Sequence, residues 1–149
     1  FTSTQPYRVI VSGRIKHYIS AFGEHVIGKE VESALQEAIV GTAIRINEFT
    51  VAPQITPTEG LPYHEWFIEF ENEPDNITSF SEMIDAAMRK QNVYYDDLIA
   101  GKVLRRLVIT PVTKNGFQDY MKSIGKLGGQ NKIPRLSNDR SLVDLLKTK

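Results

Sequence analysis

Late in the 149-residue chain, Gly128, Gly129, Gln130, Asn131 and Lys132 stand in a row, followed by Ile133, Pro134 and Arg135. Two adjacent glycines let backbone N–H groups come close to an anion, and the Lys132 ammonium adds a point charge. Pro134 stiffens the exit. The chemistry such a loop supports is the holding of a phosphate or carboxylate. It is not a P-loop, which needs two glycines five apart followed by Lys and Ser or Thr; five residues after Gly125 comes Gln130. The plain alternative is a glycine turn beside a solvated lysine. Gly13-Arg14 is a second candidate, because an arginine just past a strand end can reach a phosphate or a ribose. Taken alone, Arg14 reads more simply as a surface residue.

Other chemistries find little support. His17, His25 and His64 have no carboxylate at a familiar metal spacing, and the two-histidine helical zinc pattern is absent, so no metal site is expected. His64 reads as a residue at the start of a strand. Glu65, Glu69 and Glu71 read as one solvated strand face rather than a catalytic carboxylate set. No serine lies in a nucleophile-elbow sequence. Cysteine is absent, which removes disulfides, thiolate ligands and thiol nucleophiles. Basic and aromatic residues do not interleave as on an RNA-binding sheet, so nucleic acid is not expected.

The elements that must position these residues follow from periodicity. Tyr7 to Val11 alternates as a strand, and Gly23 suggests a bend between short strands within residues 17–26. Val31, Ala34, Leu35, Ala38 and Ile39 form a helical stripe, giving a helix from about Gly28 to about Val40 with Gly41 as its stop. Ile44, Ile46, Phe49 and Val51 read as a strand with a bulge at Asn47-Glu48. Thr58-Glu59-Gly60 turns the chain, and Trp66, Ile68 and Phe70 form the next strand. Ser79 and Glu82 match a capping box for a helix carrying Phe80, Met83, Ile84 and Ala87. A short helix around Tyr94 to Ile99 ends at Gly101. A strand lies within 104–112, and a helix from Asn115-Gly116 ends at Gly125. Asn138-Asp139 is expected to cap a last helix with Leu142, Leu145 and Leu146. One domain over 1–149 is expected, of α+β class: two layers, with a mixed or antiparallel sheet packed against helices.

The formal charge of zero hides a split. Residues 1–100 carry 7 Lys+Arg against 15 Asp+Glu, a net −8, and residues 101–149 carry 11 against 3, a net +8. One expectation is a small interaction domain that docks an anionic partner through its basic C-terminal third. The other is that the two parts pack together and screen each other. No apolar run approaches the roughly 20 residues of a membrane span, and no signal segment opens the chain. The first residue is Phe1, not Met, so a fragment or a processed product is expected.

Two stretches carry a family resemblance. The run from Ser12-Gly13-Arg14 to Gly23-Glu24, followed by a helix with Val31-Glu32, resembles the opening of the C-terminal domain in acyl-adenylate-forming enzymes. The run from Gly128 to Leu136 is the sharper match, and resembles the C-terminal segment of the auxin-responsive Gretchen Hagen family of acyl-acid amido synthetases, in its bacterial form. The resemblance extends from about Tyr7 to about Leu146.

That resemblance implies a small C-terminal lid domain of a larger ligase. Such enzymes use ATP with Mg2+ to convert a carboxylic acid to an acyl-adenylate, and plant members then transfer the acyl group to an amino acid amine. The N-terminal domain of the same enzyme, absent from this sequence, would be the partner and would bind most of the ATP and the acid. The amino acid acceptor is left open. Lys132 would be the catalytic lysine, meeting carboxylate and α-phosphate oxygens as negative charge builds. Arg14, Gly129 and Gln130 would serve nucleotide binding. The setting implied is cytoplasmic, and the chain alone is expected to be inactive, since the pocket needs both domains.

Overall fold

The computed structural model describes residues 18, 19, 21–125 and 133–148. Two short strands, β1 (Tyr18–Ile19) and β2 (Val26–Ile27), pair antiparallel across the bend, where Gly23 takes φ +91°. Helix α1 (Gly28–Ile39) follows directly, and its apolar stripe of Val31, Ala34, Leu35 and Ala38 is buried as the period requires. The chain leaves α1 through Val40 and a left-handed Gly41.

A hairpin comes next. Strands β3 (Arg45–Gln54) and β4 (Tyr63–Asn72) pair antiparallel, with the register slipping between Ile46 and Glu48. Ile46 and Phe49 are three residues apart, an odd number that would put them on opposite faces of a regular strand. The bulge at Asn47 restores them to one face, where both join the main core. Helices α2 (Ile77–Gln91) and α3 (Val93–Ala100) then lead to β5 (Val108–Pro111), which pairs parallel to β4. The sheet order is β3-β4-β5 and the sheet is mixed. Helix α4 (Gly116–Ser123) and a 3-10 turn (Val143–Leu145) complete the described elements. The class is α+β, as the periodicity implied.

Helices α1, α2 and α3 cover one face of the sheet, with Trp66, Ile68, Ile84 and Tyr95 buried between the layers. The opposite face is not bare. There Ala52, Phe67, Val112, Phe117, Ile133, Val143 and Leu146 form a second, smaller cluster. The C-terminal segment makes this cover by crossing the sheet from edge to edge. Leu136 bridges β3 at Val51, and Thr148 bridges Val112 just past β5.

Several expectations need correction. The face of Glu65 and Glu69 is not solvated. Glu69 is buried and accepts the N–H of Asn115 at 3.2 Å and of Phe117 at 3.4 Å, so a carboxylate on β4 satisfies the start of α4. Glu65 pairs with Arg140 at 3.0 Å and accepts the Thr110 hydroxyl. Only Glu71 of the three is exposed. Helix α2 is capped by Asn76, whose side chain accepts the Ser79 N–H at 3.0 Å, so the helix starts earlier than the Ser79 cap predicted. The last helix is one 3-10 turn. Asp139 folds back on the Ser141 N–H and hydroxyl at 3.0 and 2.6 Å, while Val143 and Leu146, three residues apart, are the buried pair. The strand expected at Tyr7 to Val11 lies outside the described residues.

Candidate functional site

The sequence places the candidate chemistry between α4 and the C-terminal segment. Gly129, Gln130 and Lys132 lie outside the described residues, as does Arg14, so the described site consists of the two stems that carry the loop. The first stem is α4. Its start is fixed by the buried Glu69, which also accepts from Asn47 at 3.3 Å, and by Phe117 and Met121 in the second cluster. Asn115 adopts φ +66° just before the helix, and Gly125 at φ +73° ends its last turn.

The second stem begins at Ile133, which is buried in the second cluster. Thr50 donates its hydroxyl to the Pro134 carbonyl at 2.7 Å. Val51 donates its N–H to the Arg135 carbonyl at 3.0 Å and accepts the Ser137 N–H at 2.9 Å. Leu136, between these bonds, is fully buried in the main core. Pro134 has no N–H, so a central strand could not use it, but on this short outer bridge its carbonyl alone is needed. The stem leading away from Lys132 is thereby fastened to β3 by backbone bonds and by one apolar anchor.

Arg135 fastens the same stem through its side chain. Its guanidinium pairs with the Glu48 carboxylate, reaches Glu32 of α1 at 3.5 Å, donates to the Phe49 carbonyl at 3.2 Å and lies 4.7 Å over the Phe49 ring. It lines an open cleft of ≈ 350 Å³ between α1 and β3, with Leu35, Ile39, Ile44 and Ile46 among its walls.

A second open cleft, of ≈ 380 Å³, lies beside the start of α2 and is lined by Thr78, Ser81, Arg105 and Arg106. Arg106 pairs with Glu82 at 2.9 Å, and Arg105 lies 4.3 Å over the Tyr63 ring and donates to the Leu61 carbonyl at 3.3 Å. Arg105, Arg106 and Arg135 are thus engaged by the protein itself, while Arg45 also lines the first cleft. Among the described residues no group of three or more His, Asp or Glu is placed to hold a metal ion.

Three arginines of the basic third meet the acidic part of their own chain. Arg106, Arg135 and Arg140 pair with Glu82, Glu32, Glu48 and Glu65, all from the first hundred residues. Among the described residues no helix is long and apolar enough to cross a membrane.

A buried polar group with no local signature lies under the helices. Glu24, in the turn between β1 and β2, meets His64 of β4 at 2.6 Å, and both are almost fully buried. Burial pushes the Glu24 carboxyl up, but the hydrogen bond and charge of His64 and nearby backbone N–H groups outweigh it and hold the carboxyl below its usual range. The His64 ring lies 5.2 Å from the ring of Tyr95, whose hydroxyl donates to Asp85 at 2.5 Å. Burial first, and Asp85 second, push the Tyr95 hydroxyl well above its ordinary value. Glu24 and His64 are 40 residues apart, so no local period could link them. The cluster ties the β1–β2 turn, which follows Gly13-Arg14 in the chain, to the centre of the sheet.

A model of the GH3 family C-terminal domain matches residues 29–141. A solved structure described as GH3.15 acyl acid amido synthetase is similar with a TM-score of 0.69 at 17% identity, covering 90% of this chain and 27% of that one. Another, AtGH3.15 acyl acid amido synthetase in complex with 2,4-DB, is similar with a TM-score of 0.67 at 15% identity, again over 90% and 27%. The chain thus spans about a quarter of the length of those enzymes. No curated protein matches the sequence.

Proposed function

Because the chain belongs to the GH3 family, as its C-terminal domain, we propose that it is the lid domain of an ATP-dependent acyl-activating ligase. The ligase forms an acyl-adenylate from a carboxylic acid and passes the acyl group to an amine, an amino acid. The observation that carries the reading is the family match over 29–141, which spans both stems of the glycine loop. The fold likeness to two acyl acid amido synthetases supports it.

In this reading the N-terminal domain of the same enzyme binds the acid and most of the nucleotide with its Mg2+. ATP supplies the leaving pyrophosphate when bound. This domain contributes Lys132, whose ammonium stabilises the charge that builds on the reacting oxygens. Gly129 and Gln130 shape the loop, and Arg14 acts on the nucleotide side or at the hinge. The contacts of Thr50 and Val51 and the buried Leu136 fasten residues 134–137, which follow the loop, to β3. A domain that carries one reacting side chain while the substrates are held elsewhere has no activity alone. The setting proposed for such an ATP-dependent enzyme is the cytoplasm.

The docking of an outside anion by the basic third has less support, because Arg106, Arg135 and Arg140 already have carboxylate partners within the domain.

The test is product analysis. The full-length enzyme, given ATP, Mg2+ and a panel of carboxylic acids, is expected to release AMP and pyrophosphate in an acid-dependent way, and residues 1–149 alone to release neither. Release of ADP and phosphate would mean an acyl-phosphate route and would overturn the adenylate reading.

A further inference from the structure

Asn115-Gly116 is the one Asn-Gly pair in the 149-residue sequence. The fold needs both residues. Asn115 sits at φ +66°, a left-handed shape that asparagine takes more readily than most side chains. Gly116 is buried, and an added Cβ would collide with Val112 Cγ1 and crowd the Lys147 carbonyl at 3.3 Å. The same pair is chemically labile. Glycine has no side chain to shield its backbone nitrogen, so that nitrogen can reach the side-chain amide carbon of the preceding asparagine. The native shape holds the pair out of this reaction. At ψ 12° the Gly116 nitrogen is nearly eclipsed with the backbone nitrogen of Asn115 and is turned away from the side chain. Its N–H is also occupied, donating to the Thr113 carbonyl at 2.8 Å. Attack needs rotation about this ψ, which swings the N–H groups of Asn115 and Phe117 apart. Those are the two donors that the buried Glu69 holds, at 3.2 and 3.4 Å.

We propose that Asn115 is a site of spontaneous deamidation, and that Glu69 gates it by holding the start of α4 closed. When that start opens, the Gly116 nitrogen attacks Asn115 Cγ and closes a cyclic imide. The bond from Cγ to the side-chain nitrogen breaks, and that nitrogen leaves as ammonia with the proton from Gly116. Water then opens the ring at either carbonyl, giving aspartate or isoaspartate. Both products act back on the clasp. Aspartate adds a carboxylate close to that of Glu69. Isoaspartate routes the main chain through Cβ and moves the N–H of Phe117 away from its acceptor. The start of α4 is then looser in modified molecules than in fresh ones. Thr113, two residues before Asn115, donates its N–H to the Lys147 carbonyl at 3.0 Å, so the loosening reaches the C-terminal segment.

The experiment incubates the full-length enzyme in mildly alkaline heavy-oxygen water and follows label at each asparagine by peptide mapping. It is run on native and urea-unfolded protein, and on Glu69→Gln. Residue 115 is expected to be labelled ahead of every other asparagine in the unfolded chain, and at least about tenfold more slowly in the native one. Glu69→Gln, which loses the charge of the acceptor, is expected to speed the native reaction by about 3- to 30-fold and to leave the unfolded rate alone. A rate at 115 no faster than at the other asparagines overturns the site. Equal native and unfolded rates overturn the gate, and a native rate unchanged in Glu69→Gln removes Glu69 from it. Should Glu69→Gln fail to fold by circular dichroism, the native enzyme is followed through sub-denaturing urea. Deamidation at 115 should then rise in proportion to hydrogen exchange at the Phe117 N–H, and independent behaviour of the two overturns the gate.

Discussion

On the face of the sheet that meets α1, α2 and α3, Trp66, Ile68, Ile84, Val31 and Leu35 pack as apolar stripes against an apolar strand face. On the opposite face the apolar cluster is smaller, and charged side chains do much of the fastening. Glu69 satisfies the start of α4, and Arg140 joins Glu65 and lies 5.7 Å over Phe67, while on the side of α1 Arg135 clips the stem to Glu48 and Glu32. The first face is a core that any helix-on-sheet domain needs. The second is a set of specific attachments for one segment, and that segment carries the glycine loop. Directional contacts suit that task, since hydrogen bonds and forked ion pairs fix orientation whereas apolar burial is tolerant of it.

The comparison can be broken most forcefully from the first face. Trp66→Ala is expected to cost about 3–5 kcal/mol, because the ring is fully buried and its removal leaves a cavity. Urea unfolding followed by circular dichroism checks this, and the whole domain should lose stability together. On the second face Gly116→Ala should cost less, about 1–3 kcal/mol of overpacking, since an added Cβ would collide with Val112 Cγ1 and crowd the Lys147 carbonyl at 3.3 Å. Hydrogen exchange should then show lost protection in α4 and the C-terminal segment, with α1 and α2 still protected. Equal loss on both faces would mean that the two clusters behave as one core.

The smallest effect concerns the Glu24–His64 contact on the first face. The Glu24 carboxyl is held below its ordinary 4.5, so its contribution is fully present above that pH and is lost as the pH falls through the lowered folded value. Stability measured between pH 6 and 3 should fall less steeply in Glu24→Gln than in the native chain. An unchanged slope would remove Glu24 from the acid response.

How much of this was legible in sequence differs between the two faces. The stripe of α1, the hairpin, the bulge at Asn47 and the end of α4 at Gly125 follow from local period and glycine placement, and all are present. Asn76 was missed as a cap because Ser79 three residues later satisfies the same local signature; the choice depends on where the first buried turn sits. Glu69 was misread because an alternating strand looks identical whether its polar face meets water or a helix start. Arg135 and Glu48 are 87 residues apart, and Glu24 and His64 are 40 apart, so charge content could suggest pairing but not name the pairs. Of the candidate site, the stems are described and the residues Arg14, Gly129, Gln130 and Lys132 lie outside the described part.

The central claim is that this domain brings one lysine to a reaction whose pocket lies elsewhere. Its most direct test is the rate of acid-dependent ATP–pyrophosphate exchange by the full-length enzyme with Lys132→Ala, measured beside its urea midpoint. The account predicts a fall of about 10²- to 10³-fold at an unchanged midpoint, the scale on which a single preorganised charge-stabilising group acts. Exchange at the native rate, with the fold intact, would contradict it.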